Sequence, residues 1–320
     1  MEYRASAPGK VILTGEHAVV YGKLAIAGAI NLRVYVTLRV VEEEVSPGIE
    51  VNYKGEISFL PAKDMNHIVT DNPLLALIAH LMGKFLRDAE FPSKKFAFEV
   101  SADLPVSSGL GSSAAFCVAL SAVMYQTEGV TDLEKINALA FMGERFVQGN
   151  PSGVDNTVST FGGLLKFQSG KFESLKISEN LKVLIVQSKQ PRQTKLQVQN
   201  VRNLYDTFRD LTEHILSAID QVSHELLNSL EPLNIPNMQR LFSINQGLLY
   251  SLGVSTPTLD SIIQIGKKHG LAGKLTGGGG GGCLCFLIND EDYSGFKIDM
   301  EANGFEVLNT ELSNEGVILG

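Results

Sequence analysis

Residues 105–115 read PVSSGLGSSAA, and they are the most informative stretch for predicting the fold. It follows a strand-like alternation at residues 96–100 and precedes a run at 114–125 that is small and apolar almost all round. A helix that begins in such a loop leaves backbone N–H groups unpaired, and its dipole favours an anion there. Glycines let the main chain approach phosphate oxygens, and serine hydroxyls bind phosphate or Mg²⁺. The stretch predicts a phosphate-binding loop, with an ordinary tight helix entry as the alternative.

Other phosphate-binding loops fit the sequence less well. No Gly-Lys pair is followed by Ser or Thr, so a Walker A loop is absent, and the protein-kinase motifs His-Arg-Asp and Asp-Phe-Gly are missing. The spacing of Gly109, Gly111 and Ala114 does match the dinucleotide fingerprint. That fingerprint needs parallel strands alternating with helices, which the first half of the chain does not show. A dinucleotide-binding fold is therefore disfavoured.

A second segment runs from Glu144 through residues 149–156, which read GNPSGVDN. Glu144 lies near the end of a predicted helix, and Asp155 follows eleven residues later in a turn. Two carboxylates delivered from one helix end and its loop can divide the work, one on a metal and one on a substrate proton. The alternative is a capping turn in which Asp155 bonds only its own backbone.

A third segment begins with Lys274, Leu275 and Thr276 and continues into six glycines at 277–282. An apolar strand at 283–288 follows directly. The composition alone also fits a flexible linker. Because linkers rarely end against a buried strand, a glycine turn whose backbone donors line a cleft is the better interpretation.

A fourth segment at 7–22 reads APGKVILTGEHAVVYG. Lys10 opens a buried strand, which is a poor place for an ammonium without an anionic partner. Glu16 and His17 stand between turn glycines, which makes them candidates for ligand contacts. The alternative is that both are ordinary surface residues.

The hydrophobic pattern divides the chain into two parts. The first part reads as strands with helices at 73–86, 114–125 and 133–147, and a hairpin turns at Lys54-Gly55. The second part has long helical stripes at 203–230 and 238–252 and a helix that starts at Thr256-Pro257. We place the domain boundary near 185–195, giving domains 1–188 and 189–320, and the last strand at 316–319 can return to the first domain.

Composition restricts the class of protein. The 320 residues are 44% apolar and 19% charged, with a formal net charge of −8, which suits a globular two-domain chain and argues against bulk nucleic-acid binding. No window reaches the ~20 apolar residues that cross a bilayer, and residues 1–10 lack the apolar core of a signal peptide. The cysteines, Cys117, Cys283 and Cys285, stand in apolar runs without a zinc pattern. A cytoplasmic location is expected, with neither nucleic acid nor membrane as a partner.

Together the segments resemble the GHMP kinases, a family of small-molecule kinases whose three signature motifs occur here in the family's order at 7–22, 109–115 and 274–282. Within that family, GEHAVVYG at 15–22 and NPSGVDN at 150–156 resemble the mevalonate kinase branch. The sequence departs from many relatives at Ser107-Ser108, where Gly-Ala is frequent, and at Gly278, where Ala is common. The implied fold is α+β, with an N-terminal mixed sheet-and-helix domain, a C-terminal domain of helices and antiparallel sheet, and the active site in the cleft.

The resemblance also implies a role for each matching residue. Asp155 matches the catalytic aspartate, which accepts the C5 hydroxyl proton of mevalonate, and Lys10 matches the lysine beside it. Since an aspartate is a weak base at pH 7, either Lys10 shares the work or the transfer is largely dissociative. Ser113 and Glu144 match ligands of Mg²⁺. The residues matching the ATP phosphate loop are Ser107, Ser108, Gly109, Leu110, Gly111, Ser112 and Ser113. Those matching the mevalonate site are Glu16, His17, Ser152, Thr194, Thr276 and Gly277.

The expected reaction is therefore phosphorylation of mevalonate by ATP, on the route to isoprenoids and sterols. The resemblance further implies a homodimer and inhibition by farnesyl-type diphosphates. Two alternatives stay open: another GHMP kinase acting on galactose or homoserine, and a non-catalytic nucleotide-binding member. A hydride-transferring enzyme is the third choice.

Overall fold

The computed structural model describes residues 1–41, 46–64, 70–86, 94–105, 109–149, 151–175, 181–289 and 293–320. Within these ranges the chain forms two β-sheets with helices packed on them, which is the predicted α+β fold in two parts. The strands and helices in chain order are β1 (Glu2–Thr14), β2 (Ala25–Val41), β3 (Gly48–Tyr53), β4 (Glu56–Pro61), α1 (Pro73–Phe85), β5 (Lys95–Ala102), α2 (Ser112–Gln126), α3 (Leu133–Gln148), α4 (Val154–Phe161), β6 (Leu164–Gln168), β7 (Lys171–Leu175), β8 (Lys182–Gln187), α5 (Thr194–Thr207), α6 (Arg209–Asn228), α7 (Ile235–Ser251), α8 (Pro257–Lys268), β9 (Gly273–Thr276), β10 (Cys283–Ile288), α9 (Ser294–Ala302), β11 (Glu306–Glu311) and β12 (Ile318–Leu319).

The first sheet is built around the long strand β2. The strand order is β12-β1-β2-β5-β3-β4, and β6 also pairs with β2 and carries β7 on its other side. All these pairs are antiparallel except β3 with β5. Strand β1 changes register between Pro8 and Lys10 and again between Ile12 and Thr14, so residues 10–12 form a short piece between two irregularities. That piece carries the lysine predicted to need an anionic partner.

Helix α2 lies in the main core and explains its unusual composition. Every side chain from Ala114 to Met124 is buried, so the helix is apolar on all sides instead of along one stripe. Helix α1 shows the opposite pattern, with its buried residues along one side, and it confirms the helix predicted at 73–86. It is capped by Asn72, whose side chain accepts from two N–H groups, and Pro73 occupies the first turn. The predicted hairpin is also confirmed, with Lys54 and Gly55 both at positive φ between β3 and β4.

The second sheet has the order β11-β8-β10-β9, all antiparallel. The single helix predicted at 203–230 is wrong, because the chain breaks at Phe208 into α5 and α6. Phe208 has φ −128° and ψ 59°, outside the helical region, and the hydroxyl of Thr212 donates to the carbonyls of Leu204 and Phe208 at the break. Hydrophobic spacing continues across such a break and therefore does not reveal it.

The two sheets do not divide at a single point of the sequence. Strand β8 belongs by its pairing to the second sheet, although it ends just before the predicted boundary at 188. The last strand, β12, leaves the second part and pairs with β1. The cleft between the parts is therefore bordered by β1 on one side and β9 on the other.

Candidate active site

Lys10 lies under the phosphate loop. Its side chain is 2% exposed, its Nζ donates to the carbonyl of Gly109 at 3.1 Å, and its backbone N–H donates to the carbonyl of Leu110 at 2.8 Å. Gly111 precedes α2 with φ 75°, and a Cβ there would lie 2.9 Å from the lysine Cγ. Only glycine allows both the left-handed turn and the close passage of the lysine. The loop and Lys10 thus hold each other in place.

The rest of the predicted phosphate loop is described from Gly109 onward. Ser112 and Ser113 form the first turn of α2, where unpaired N–H groups are found. Leu110 is fully buried, so only its main chain can face a ligand. Ser107 and Ser108 lie outside the described residues.

Asp155 supplies the anion that Lys10 requires. Its Oδ1 lies 3.3 Å from Lys10 Nζ, and its side chain is 24% exposed. It is the second residue of α4, which begins after Gly153 at φ 80°, so the helix dipole also favours a negative charge there. Ser152 accepts from the N–H of Val154 at 3.4 Å at the same helix start. Asp155 is therefore more than a local cap: it forms an ion pair that faces the cleft.

Ser113 and Glu144 bring two oxygen donors together between α2 and α3. The Ser113 hydroxyl donates to Glu144 Oε1 at 2.5 Å, and Gln148 donates to the other carboxylate oxygen. The pKa of Glu144 is raised to about 7, chiefly by burial and also by the charge of Asp155. The hydrogen bond from Ser113 opposes this shift. A nearby cation would remove this penalty.

This donor set fits Mg²⁺ bound together with phosphate. Mg²⁺ prefers oxygen ligands and usually takes only one or two from the protein, the others coming from water and substrate phosphates. Within the described ranges there is no cluster of three or more His, Cys, Asp or Glu that could hold a metal by itself. Ser113 and Glu144 would suit an ion that arrives with a nucleotide.

His17 and the glycine run form the opposite wall. His17 Nε2 lies 2.9 Å from the carbonyl of Gly278, so this nitrogen carries the proton of the neutral ring. Burial lowers the pKa of His17, and the Gly278 carbonyl partly opposes that. The hydroxyl of Thr276 accepts from the N–H of Ile12 at 2.8 Å. These contacts tie β1 and the turn after it to β9 and the glycines.

Two glycines from different motifs meet across the cleft. Gly109 and Gly277 both have φ 92°. A Cβ on Gly109 would lie 3.4 Å from the carbonyl of Thr276, and one on Gly277 would lie 3.9 Å from the carbonyl of Gly109. The phosphate loop and the glycine run therefore approach each other through main-chain atoms.

A cavity of about 450 Å³ collects both predicted catalytic residues, Glu144 and most of the residues predicted for the mevalonate site. Its lining includes Lys10, Glu16, His17, Glu144, Ser152, Asp155, Thr194 and Gly277. The Thr194 hydroxyl is buried beside Gly278 without a hydrogen-bond partner among the described residues. Thr276 is not in the lining, because its hydroxyl is used by Ile12.

Glu16 lies in the wall of this cavity with both carboxylate oxygens hydrogen-bonded within the protein. Its Oε1 accepts from Lys274, and its Oε2 accepts from Asn245 at 3.1 Å. Both members of the Glu16–Lys274 pair have fully buried side chains. A direct contact with a substrate, as the resemblance implies, would have to be made to a side chain that has no exposed surface in this structure.

A second cavity of about 530 Å³ adjoins the first beside Ser112 and Ser113. Its remaining wall is mostly apolar and comes from β3, α1, β5 and α2. Gln148 and Arg192 line both cavities. The two cavities therefore share a boundary at the Ser113–Glu144 pair.

Arg192 is the functional candidate that the sequence did not single out. It is partly buried in the loop between β8 and α5, and its charge lowers the pKa of Glu144. Among the described residues its guanidinium has no ion-pair or hydrogen-bond partner. Its only signal in the sequence is a position two residues before Thr194.

Comparisons with known proteins identify the family. Residues 75–163 match the GHMP kinases N terminal domain, and residues 224–297 match the GHMP kinases C terminal family. The mevalonate kinase of Mus musculus is 35% identical, covering 98% of this chain and 93% of its own length. The mevalonate kinase of Pyrococcus horikoshii is also 35% identical, covering 98% and 96%.

Solved structures agree with this result. The mevalonate kinase of Methanococcus jannaschii has a TM-score of 0.85 at 30% identity and covers 97% of this chain and 98% of its own. The Lactococcus lactis galactokinase, at 16% identity and a TM-score of 0.81 over 99% and 95% of the two chains, shares the fold alone. Among the described helices, none is both long and apolar enough to span a membrane. At this identity over nearly its whole length, the chain belongs to the mevalonate kinases of the GHMP kinase family.

Proposed function

We propose that the chain transfers the γ-phosphoryl group of ATP to the C5 hydroxyl of (R)-mevalonate, giving 5-phosphomevalonate and ADP on the route to isoprenoids and sterols. One observation carries the proposal. Lys10 and Asp155 form an ion pair of 3.3 Å in the same cavity wall as Glu144, whose carboxylate accepts from Ser113 in the phosphate loop. The acceptor side and the phosphate side of a phosphoryl transfer are thereby adjacent.

Asp155 and Lys10 act on the attacking hydroxyl. The hydroxyl oxygen forms a bond to the γ-phosphorus while the bond from that phosphorus to the β,γ-bridging oxygen breaks, and ADP leaves. The hydroxyl proton passes to Asp155, whose exposed fraction of 24% leaves it open to the cavity. The Lys10 ammonium stays beside the γ-phosphoryl oxygens and balances their negative charge.

Ser113 and Glu144 would hold Mg²⁺. When bound, the ion neutralises phosphate charge and orients the triphosphate for in-line transfer. The main-chain N–H groups at the start of α2 add further donors to the phosphates. Arg192, between the two cavities, is placed to contact the phosphoryl group from the other side.

The two cavities separate the substrates. The apolar cavity of about 530 Å³ suits the adenine base, since it adjoins the phosphate loop and offers flat apolar walls. The cavity of about 450 Å³ suits mevalonate, because His17, Ser152 and Asp155 line it together. The buried hydroxyl of Thr194 offers one further hydrogen bond there.

The resemblance supports three extensions of the proposal: a homodimer, a cytoplasmic location, and inhibition by farnesyl-type diphosphates that compete with ATP. The apolar cavity beside the phosphate loop favours the last, because a diphosphate and an isoprenoid chain could occupy the positions of phosphate and base. Sedimentation of the purified chain tests the dimer. ADP formation at rising farnesyl diphosphate and ATP tests the competition.

ADP release with and without (R)-mevalonate tests the reaction itself. We expect mevalonate-dependent release of ADP and a product phosphorylated at C5. The controls are ATP alone and a panel of galactose and homoserine. Strong turnover of either compound without turnover of mevalonate would overturn the assignment.

A further inference from the structure

Lys274 is a buried lysine whose three donors are all used. It lies on β9 with no exposed side-chain surface. Its Nζ donates to the carboxylate of Glu16, to the carbonyl of Ile12 at 3.0 Å and to the carbonyl of Leu275 at 2.6 Å. An ammonium has three N–H donors, so none remains for a ligand.

Both carboxylate oxygens of Glu16 are also hydrogen-bonded within the protein. Its second oxygen accepts from the side chain of Asn245, which projects from α7. Glu16, Lys274 and Asn245 therefore form one buried cluster, called the clamp below. It joins the turn after β1 to β9 and to α7.

The clamp attaches to β1 at a point that matters for the reaction. Ile12 lies two residues from Lys10, in the short piece of β1 between the two register changes. Its carbonyl accepts from Lys274, and its N–H donates to the Thr276 hydroxyl at 2.8 Å. Both main-chain polar groups of Ile12 are thus bonded to side chains of the second sheet.

A buried ion pair is a poor way to gain stability, because desolvating two charges offsets most of their attraction. A pair that bonds the main chain at defined points can instead fix a geometry. We propose that the clamp is a positioning device for phosphoryl transfer: Glu16 acts through Lys274, not on the substrate, and Lys274 sets the position of Lys10 and His17 relative to the glycine run. This inference rests on the proposed function for its effect on turnover.

Loss of the clamp should therefore reduce turnover without removing any group that touches a substrate. Small displacements of a reacting group cost up to about 100-fold in rate. The strand piece that carries Lys10 would keep its bonds to the carbonyls of Gly109 and Leu110 in the phosphate loop. Of its two bonds to β9, it would lose the one from Lys274 to the Ile12 carbonyl and keep the one from the Ile12 N–H to Thr276. The turn that carries His17 would lose its side-chain bonds to β9 and α7 and would keep the bond between His17 and the Gly278 carbonyl.

The double variant Glu16→Gln/Lys274→Met distinguishes an effect of the clamp on the position of Lys10 and His17 from an effect on the stability of the protein. Each single change leaves one buried charge without its partner and should lower Tm strongly. The double variant removes both charges, so its Tm should recover towards the wild-type value. We expect its kcat/KM for mevalonate to stay at least about 10-fold below wild type, and the Ile12 amide to exchange with solvent faster. Lys267→Met, on the exposed face of α8, is the matched control and should leave Tm and turnover unchanged.

Recovery of both Tm and kcat/KM in the double variant would overturn the proposal, because the pair would then be only structural. An unchanged exchange rate of the Ile12 amide would overturn it as well. The exchange measurement needs no substrate. If wild type fails to phosphorylate mevalonate, the proposed function falls while the clamp is still tested.

Asn245→Ala gives a second test in case the double variant does not fold. It removes one bond to Glu16 and leaves both charges in place. We expect a folded protein with a several-fold rise in KM for mevalonate and an unchanged Kd for a non-hydrolysable ATP analogue. An unchanged KM would contradict a positioning role.

Discussion

Two lysine–carboxylate pairs lie on either side of the same short piece of β1, and they differ in access to the cleft. In the Lys10–Asp155 pair the aspartate is 24% exposed, whereas Lys274 and Glu16 are both fully buried. The open pair leaves a carboxylate oxygen for a substrate proton. In the closed pair, all three donors of Lys274 and both carboxylate oxygens of Glu16 are hydrogen-bonded within the protein. The same chemical groups thus take part in the reaction in one pair and position the main chain in the other. Exposure of the carboxylate to the cleft distinguishes the two roles.

The largest effect should come from replacing the carboxylate of the open pair, Asp155. Asp155→Asn keeps the size of the side chain but cannot take up a proton, so turnover should fall about 10²–10⁴-fold. Binding of an ATP analogue should persist, because the phosphate loop is untouched. ADP release and analogue titration measure the two properties. Asp206→Asn, in an exposed pair with Arg202, is the control. Unchanged turnover in Asp155→Asn would remove Asp155 from its role.

Replacing the lysine of the open pair, Lys10, should have a somewhat smaller effect. Lys10→Met removes the ammonium that balances phosphoryl charge, and loss of one such donor costs about 10²–10³-fold in kcat. The stem of Met fills the same buried channel beneath Gly111. Stopped-flow or coupled assays give kcat. A variant that loses ATP binding but keeps kcat at saturation would show that Lys10 only binds substrate.

Glu144 extends the comparison to a buried carboxylate that has no ion-pair partner among the described residues. Its pKa in the folded chain, about 7, lies above its ordinary value of 4.5. The contribution of the protonated acid to stability is therefore full below about pH 4.5 and is lost as pH rises through about 7, a change on the order of 3 kcal/mol. The free energy of unfolding of the nucleotide-free protein should fall over that range. Glu144→Gln should flatten this pH dependence and lower Mg²⁺-dependent turnover by at least about 10-fold.

Unfolding curves at several pH values, with and without Mg²⁺ and ATP analogue, measure this prediction. Mg²⁺ with nucleotide should restore stability above about pH 7, because the cation stabilises the charged carboxylate. Glu301→Gln, which is exposed on α9, serves as the control. A pH dependence that survives in Glu144→Gln would assign it to another group.

Arg192 tests whether a third cation takes part in the open site. Arg192→Gln should reduce kcat/KM by about 10-fold, the value of one charge-assisted hydrogen bond. Added guanidinium should partly restore it. Arg202→Gln, in the exposed pair on α5, is the matched control. Equal losses in both variants would show a general effect of charge instead of a contact.

The smallest effect should come from a pair outside the cleft. Lys166 and Glu173 form a surface ion pair of 2.7 Å between β6 and β7, with side chains 35% and 65% exposed. Such pairs contribute about 0.2–1 kcal/mol. Lys166→Met should change the free energy of unfolding by no more than that and leave turnover intact. A larger loss would show that exposure is a poor guide to the role of these pairs.

Local features of the site were predictable because they are encoded in contiguous residues. The phosphate loop before α2, the hairpin at Lys54-Gly55 and the cap at Asn72 or Thr256 each depend on neighbours in sequence. The ion pair of Lys10 was expected from burial alone, and the fold supplied Asp155 as its partner. Those inferences need no knowledge of the overall topology.

Long-range pairings were not predictable in this way. Lys274 and Glu16 are 258 residues apart, and nothing near Glu16 in sequence indicates that its oxygens are already bonded. The resemblance assigned Glu16 to the substrate because it stands beside His17 in the motif. The break at Phe208 was missed because apolar spacing continues across it. Arg192 was not predicted because its position beside both cavities depends on the path of the loop after β8.

The meeting of Gly109 and Gly277 limits how this cleft can vary. Both residues hold a left-handed backbone, so their identity is governed by torsion angles and not by lack of space. Asparagine and aspartate tolerate that conformation best after glycine. Aspartate would set a negative charge opposite incoming phosphates, and asparagine would insert an amide between the two loops. At these two positions the rim of the cleft therefore tolerates few substitutions.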